Sequence, residues 1–206
     1  MRFPLNCRRC SSDFKKYKFW EDTRHHDIQE ILLSEQQIKT RIQELGQELL
    51  RDYGDKCPVF VCVLKGAVVF YTDMIRAFDA HCEMAFMQIS SYCGTQSTGS
   101  VVVRQDVSME LKDRHVIILE DILDTGRSLE HVCGYLRSKG VASLKVCALL
   151  DKPEGRAPGV TLEADYVGFR IPNAFVVGYG LDYDELYRNL PYVGILKPAA
   201  YAKEGE

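Results

Sequence analysis

The stretch Val116-Ile-Ile-Leu-Glu-Asp-Ile-Leu-Asp-Thr-Gly-Arg-Ser-Leu129 decides the fold. Val116 to Leu119 is an apolar run that reads as a strand buried on both faces. The strand is expected to stop at two adjacent acids, Glu120 and Asp121. After Asp124-Thr125-Gly126-Arg127-Ser128, the apolar residues Leu129, Val132, Cys133 and Leu136 recur at the spacing of one helix face, and Gly140 stands where a helix C-cap is expected. The order is therefore strand, acidic turn, polar glycine-containing turn, helix.

That order has a chemical meaning. Free backbone N–H groups and hydroxyls at a helix N-terminus attract anions, so Asp124 to Ser128 suit a phosphate. The acids just upstream suit ribose hydroxyls and a hard divalent cation such as Mg²⁺, which prefers oxygen ligands. Together these describe a site for a phosphorylated ribose. Competing motifs fail: the chain has neither Gly-x-x-x-x-Gly-Lys nor Gly-x-Gly-x-x-Gly. A calcium loop starting at Asp121 would place Gly126 correctly but would put Leu123 and Val132 at ligand positions.

Outward from this unit the same alternation continues. Ser34 with Gln37 forms a capping box ahead of an Ile38, Ile42, Leu45, Leu49 helical stripe. Val59 to Leu64 is a buried strand, followed by Lys65-Gly66 and a second helical segment through Met74 and Phe78. His81 to Ser90 reads as a strand running into the polar stretch Ser91 to Gly99, with Val101 to Val103 and Leu144 to Leu150 as further strands. Strands alternating with helices predict an α/β fold with a right-handed, mainly parallel twisted sheet flanked by helices. Ligands of such sheets sit beyond the carboxyl ends of the strands, where Lys65-Gly66 and Glu120 to Ser128 both fall.

Glu120-Asp121-Ile122-Leu123-Asp124-Thr125-Gly126 resembles the phosphoribosyl-pyrophosphate signature of the type I phosphoribosyltransferases. The resemblance implies that Glu120 and Asp121 hold the ribose hydroxyls and Mg²⁺. It further implies that the backbone of Asp124, Thr125, Gly126, Arg127 and Ser128 grips the 5′-phosphate. Val63-Leu64-Lys65-Gly66 is similar to the family's pyrophosphate loop, which often carries a non-proline cis peptide, here at Leu64–Lys65. Ser91 and Tyr92 would begin the family's flexible lid, although composition alone fits a simple hairpin equally well.

Leu149 to Pro153, Tyr166 to Pro172 and Phe175 to Tyr183 resemble the small C-terminal hood of the hypoxanthine-guanine branch of this family. By that match Lys152 would bond the 6-oxo group of a purine, Phe175 would stack on its ring and the Val176 backbone would read its other edge. Asp182 would reach Mg²⁺ together with Glu120 and Asp121, and Arg188 would hold pyrophosphate. Asp124 would stand beside N7 as catalytic base or hydrogen-bond acceptor. Arg170 departs from the acid often found there in relatives. The implied activity is Mg²⁺-dependent transfer of phosphoribose from phosphoribosyl pyrophosphate to hypoxanthine or guanine. Xanthine stays open as a base, whereas Lys152 with Phe175 argues against a pyrimidine.

The whole chain fits these expectations. Its 206 residues are 46% hydrophobic and 27% charged, enough for one domain over 27–206, with the hood drawn largely from 151–206 and an N-terminal extension over 1–26. A formal charge of −3 argues against a nucleic-acid surface as the main business. A nucleic-acid-binding regulator on this fold would have only the cluster Arg2, Arg8, Arg9, Lys15, Lys16 and Lys18 to use. No stretch approaches the roughly 20 apolar residues of a membrane span, and residues 1–20 lack the apolar core of a secretory signal. Cys62, Cys133 and Cys147 sit in apolar patterns, and Cys7 with Cys10 is a lone Cys-x-x-Cys, so a reduced, cytoplasmic protein is expected. The family is usually a homodimer or homotetramer.

Overall fold

A computed structural model of the chain describes residues 23–91 and 101–201. The elements in chain order are α1 (Thr23–His26), β1 (Ile28–Leu33), α2 (Glu35–Tyr53), β2 (Val59–Leu64), α3 (Val68–Ala77), β3 (Glu83–Ser91) and β4 (Val101–Gln105). They continue as β5 (His115–Leu123), α4 (Arg127–Ser138), β6 (Ser143–Asp151), a short 3₁₀ turn (Pro153–Gly155), β7 (Tyr166–Arg170), β8 (Val176–Val177), β9 (Val193–Leu196) and α5 (Pro198–Tyr201).

Six strands form the main sheet in the order β4-β3-β2-β5-β6-β7. All neighbours pair in parallel except the edge strand β4, which runs antiparallel to β3. The alternation of β2 explains why the sheet needs helices on both faces. Phe60 and Cys62 point into a core shared with Ile38, Ile42, Leu45 and Leu49 of α2 and Phe70 and Met74 of α3. Val59, Val61 and Val63 point the other way, toward Leu129, Val132, Cys133 and Leu136 of α4. The capping box forms as read, with the Gln37 amide donating to Ser34 Oγ at 3.3 Å and the Ser34 amide to Gln37 Oε1 at 2.9 Å. Gly46 lets α2 lie against α3, since a Cβ there would fall 2.6 Å from the Ala77 carbonyl oxygen.

A second sheet, β1-β9-β8, forms the hood, and the segment after β8 reaches the carboxyl end of β2, where Gly180 packs on Gly66. One expectation is corrected here, the end of the central strand. The hood recruits Ile28–Leu33 from the start of the domain, through antiparallel pairing of β1 with β9. The strand of the central motif does not stop at Glu120 and Asp121 but continues to Leu123, because the ladder to β6 persists with Glu120 opposite Ala148 and Ile122 opposite Leu150. A parallel ladder uses only backbone groups, so acidic side chains do not end it. Residues 23–26, assigned to the extension, form α1. The remaining tail with Cys7 and Cys10 lies outside the described residues, as does the stretch from Tyr92 to Gly99.

Candidate functional site

The strand order places β2 and β5 side by side, with β3 and β4 on one flank and β6 and β7 on the other. Their carboxyl ends meet at a topological switch point, the place where open α/β sheets open a crevice. Lys65 and Gly66 leave the end of β2 through the Leu64–Lys65 peptide, which is cis as the resemblance implied. Gly66 lies so close to β5 that a Cβ would fall 1.9 Å from Asp121 Oδ2. Gly180 of the hood packs on the same loop, its absent Cβ 2.1 Å from the Gly66 carbonyl oxygen. Three segments distant in sequence therefore converge around Asp121, and glycine is required at both contacts.

Glu120 and Asp121 are half-buried, and Glu120 Oε2 is enclosed without a hydrogen-bond partner among the described residues. Enclosure by protein, with the Asp121 charge adding to it, holds the Glu120 carboxyl well above the ordinary range. Burial likewise pushes Asp121 up to about 6, against the pull of the Ile122 amide, its own amide and Arg188. An unpaired buried carboxylate oxygen is costly and marks a place built for a partner. A diol or a hard divalent cation fits this oxygen-only donor set. Among the described residues no three His, Cys, Asp or Glu side chains converge as a protein-only metal cage. Asp182, the third expected metal ligand, is engaged instead with the Arg188 guanidinium at 2.8 Å.

The turn after β5 has the geometry expected of an anion cradle. Gly126 adopts φ +78° and precedes α4 with no side chain capping the helix. Thr125, Arg127 and Ser128 are exposed around it. The first amides of α4 are thus free of a side-chain cap, the arrangement that leaves a helix N-terminus open to an anion. Asp124 stands at the rim, its carboxylate 3.0 Å from Lys152 Nζ at the end of β6. Lys152 is 7% exposed, so its ammonium is held against Asp124 by the surrounding protein.

The remaining expected residues come from the hood and the segment after it. Phe175, 42% exposed, meets the Tyr183 ring edge-on at 5.7 Å and stacks with Tyr201 of α5 at 5.0 Å between centroids. Val176 begins β8 beside it, opposite Ile195. Arg188 donates to the Gly180 carbonyl at 2.7 Å, while its buried Nε has no partner among the described residues. Lys65 is paired with Glu185 through both carboxylate oxygens at 3.1 Å, and Glu185 also lies 3.5 Å from Arg188. Arg170 ends β7, 77% exposed at its side chain and 3.7 Å from Asp151.

Of the expected residues, Gly66 lies against Asp121, Asp124 pairs with Lys152, and Lys65, Arg188 and Asp182 are joined through Glu185, while Phe175 and Val176 belong to the hood. Ser91 closes β3, and Tyr92 lies outside the described residues. Sequence reading missed Glu185, which occupies the expected pyrophosphate cations, as well as Tyr201 and Arg156. Glu185 has φ +64°, a left-handed backbone that no periodic pattern announces.

A family model described as the phosphoribosyl transferase domain matches residues 29–184. The hypoxanthine-guanine phosphoribosyltransferase of Streptococcus thermophilus is 51% identical over 178 residues, covering 86% of this chain and 98% of that protein. A bifunctional protein TilS/HprT of Listeria innocua is 49% identical over 183 residues, and this chain spans 28% of its length. A crystal structure of a hypoxanthine phosphoribosyltransferase from Staphylococcus aureus superposes with a TM-score of 0.85 at 46% identity, covering 89% of this chain and 99% of that one.

Proposed function

This chain belongs to the phosphoribosyl transferase family, among the hypoxanthine-guanine phosphoribosyltransferases, and from that premise we propose that it joins hypoxanthine or guanine to phosphoribosyl pyrophosphate. The products are the purine nucleoside monophosphate and pyrophosphate. The observation that carries the base assignment is the ammonium of Lys152 lying 3.0 Å from the carboxylate of Asp124. A donor beside an acceptor complements a 6-oxopurine, whose O6 accepts while its neighbouring N7–H donates. Lysine has no acceptor capacity, so an exocyclic 6-amino group would meet donor against donor.

The remaining residues then have physical roles. The α4 amides and the hydroxyls of Thr125 and Ser128 hold the 5′-phosphate. Glu120 and Asp121 accept from the ribose hydroxyls. Phe175 offers a ring face to the base, and the Val176 backbone reads its far edge. Lys65 and Arg188 hold the pyrophosphate, which takes over the positions where Glu185 lies. Fixed cations around a departing anion act without reorganising, usually the largest catalytic contribution. Asp124 receives the N7 proton as the base bonds to the sugar, or holds it by a hydrogen bond. Glu120 and Asp121 would hold Mg²⁺, joined by Asp182 once it leaves Arg188, and the bound ion would neutralise pyrophosphate charge.

The oligomer is a homodimer or homotetramer, which light scattering after size exclusion will distinguish. Free Cys62, Cys133 and Cys147 suit a reducing, cytoplasmic setting. Among the described residues no helix is long and apolar enough to cross a membrane. The reading is tested by pyrophosphate release with phosphoribosyl pyrophosphate and Mg²⁺ against a panel of free bases. Turnover with hypoxanthine and guanine and none with adenine or uracil is expected. Turnover with adenine alone would overturn it.

A further inference from the structure

The two halves of the proposed base-recognition pair come from different connections: Asp124 follows β5, and Lys152 follows β6. A single side chain ties those connections together. Arg156, after the Pro153–Gly155 turn, sends Nη1 to the carbonyl oxygens of Leu123 and Asp124, each at 2.6 Å, and of Lys152 at 3.1 Å. Its Nη2 is bonded to the Asp151 carboxylate at the end of β6. The side chains of Arg156 and Asp151 are 17% and 9% exposed, so this fork works largely out of water. Backbone bonds reinforce the join, with the Lys152 amide donating to Leu123 at 3.0 Å and the Ala157 amide to Thr125 at 3.0 Å. Gly155 completes it, since a Cβ there would lie 2.3 Å from Asp124 Oδ1.

We propose that Arg156 is a positioning residue that locks the Lys152 turn onto the Asp124 loop and so sets the spacing of the base-reading pair. This rests on the transferase reading above. Arg156 is directed at backbone carbonyls and Asp151, and it acts through Lys152 and Asp124. The guanidinium fork is essential to the role, because one planar group serves three carbonyls and a carboxylate at once. A lysine ammonium brings the charge without the fork. Without Arg156 the Asp124 carbonyl loses its donor, the Leu123 and Lys152 carbonyls keep only a backbone amide, Asp151 keeps only Arg170 at 3.7 Å, and the pair drifts apart.

The test uses Arg156→Ala and Arg156→Lys in the full chain, with kcat, KM for hypoxanthine and melting temperature measured beside wild type. A misplacement of about 1 Å at reacting groups costs on the order of 100-fold, so Arg156→Ala should lose about 100-fold in kcat/KM for hypoxanthine. Arg156→Lys should recover only part of that. Millimolar guanidinium should restore at least about tenfold to Arg156→Ala and nothing to wild type, a readout that general loosening would not give. A cavity of about 340 Å³ lined by Asp151, Arg156 and Arg170 offers the ion a way in. Wild-type turnover with Arg156→Ala within about threefold of it overturns the inference, as does a slow, folded Arg156→Ala that guanidinium does not rescue. If Arg156→Ala does not fold, Arg156→Lys decides, and activity within about threefold of wild type again overturns it. A wild-type protein inactive on every base would instead overturn the transferase reading.

Discussion

Val116 to Leu119 and Glu120 to Asp124 are consecutive stretches of one chain segment, built on opposite principles. The first four residues are fully buried, and their side chains fill the cores on both faces of the sheet. The next five begin on the same ladder, yet they leave a carboxylate oxygen enclosed without a partner among the described residues and a second carboxyl raised to about 6. One stretch gives its side chains to stability, and the other keeps polar groups at the place proposed for the ligand. Strain and unsatisfied polar groups concentrate where function requires them.

That contrast can be broken by substitution. Asp124→Ala should show the largest effect, a loss of about 10²- to 10⁴-fold in kcat with modest change in KM for phosphoribosyl pyrophosphate, measured by steady-state kinetics. Its melting temperature should fall as well, because the buried Lys152 ammonium loses its carboxylate partner, and Asp124→Asn, which keeps an oxygen beside it, should fall less. An unchanged kcat would remove Asp124 from its assigned role. Ile118→Ala, three residues before Asp121 and fully buried, should act on stability alone. Denaturant unfolding should show a loss of about 2–5 kcal/mol, while the folded fraction keeps its kcat.

Glu120→Gln should show the smallest shift and sharpens the contrast most. The folded protein holds the Glu120 proton more tightly than the unfolded chain does. Ionisation therefore works against the fold as pH rises above the ordinary carboxylate range, and protonation relieves it as pH falls. Without Mg²⁺ the glutamine variant should be more stable than wild type by about 1 kcal/mol near pH 8, with the gain vanishing near pH 4. Equal stability across that range would mean that the enclosed oxygen carries no cost.

The sequence carries this division unevenly. Its apolar runs and helical stripes announce β2, β5, α2 and α4, because burial on one or both faces leaves a local period. The Ser34 and Gln37 cap is legible for the same reason, being contained within four residues. β1 is not legible: only Leu33 of its six residues is buried, and its partner β9 lies far along the chain. The site was legible where a motif concentrates it, from Glu120 to Ser128. Arg156 was not, since its partners Leu123 and Asp124 become neighbours only when β5 pairs with β6. Glu185 was hidden as well, because its ion pair with Lys65 bridges two loops brought together by the hood.

The central claim is that the turn from β5 into α4 cups a phosphorylated sugar beside the Lys152 and Asp124 pair. A crystal structure with the nucleoside monophosphate product tests it directly. The account predicts the phosphate on the amides of residues 125–128, the ribose hydroxyls at Glu120 and Asp121, and the base between Phe175 and Lys152. Nucleotide density elsewhere on the molecule, with this crevice holding only solvent, would contradict it.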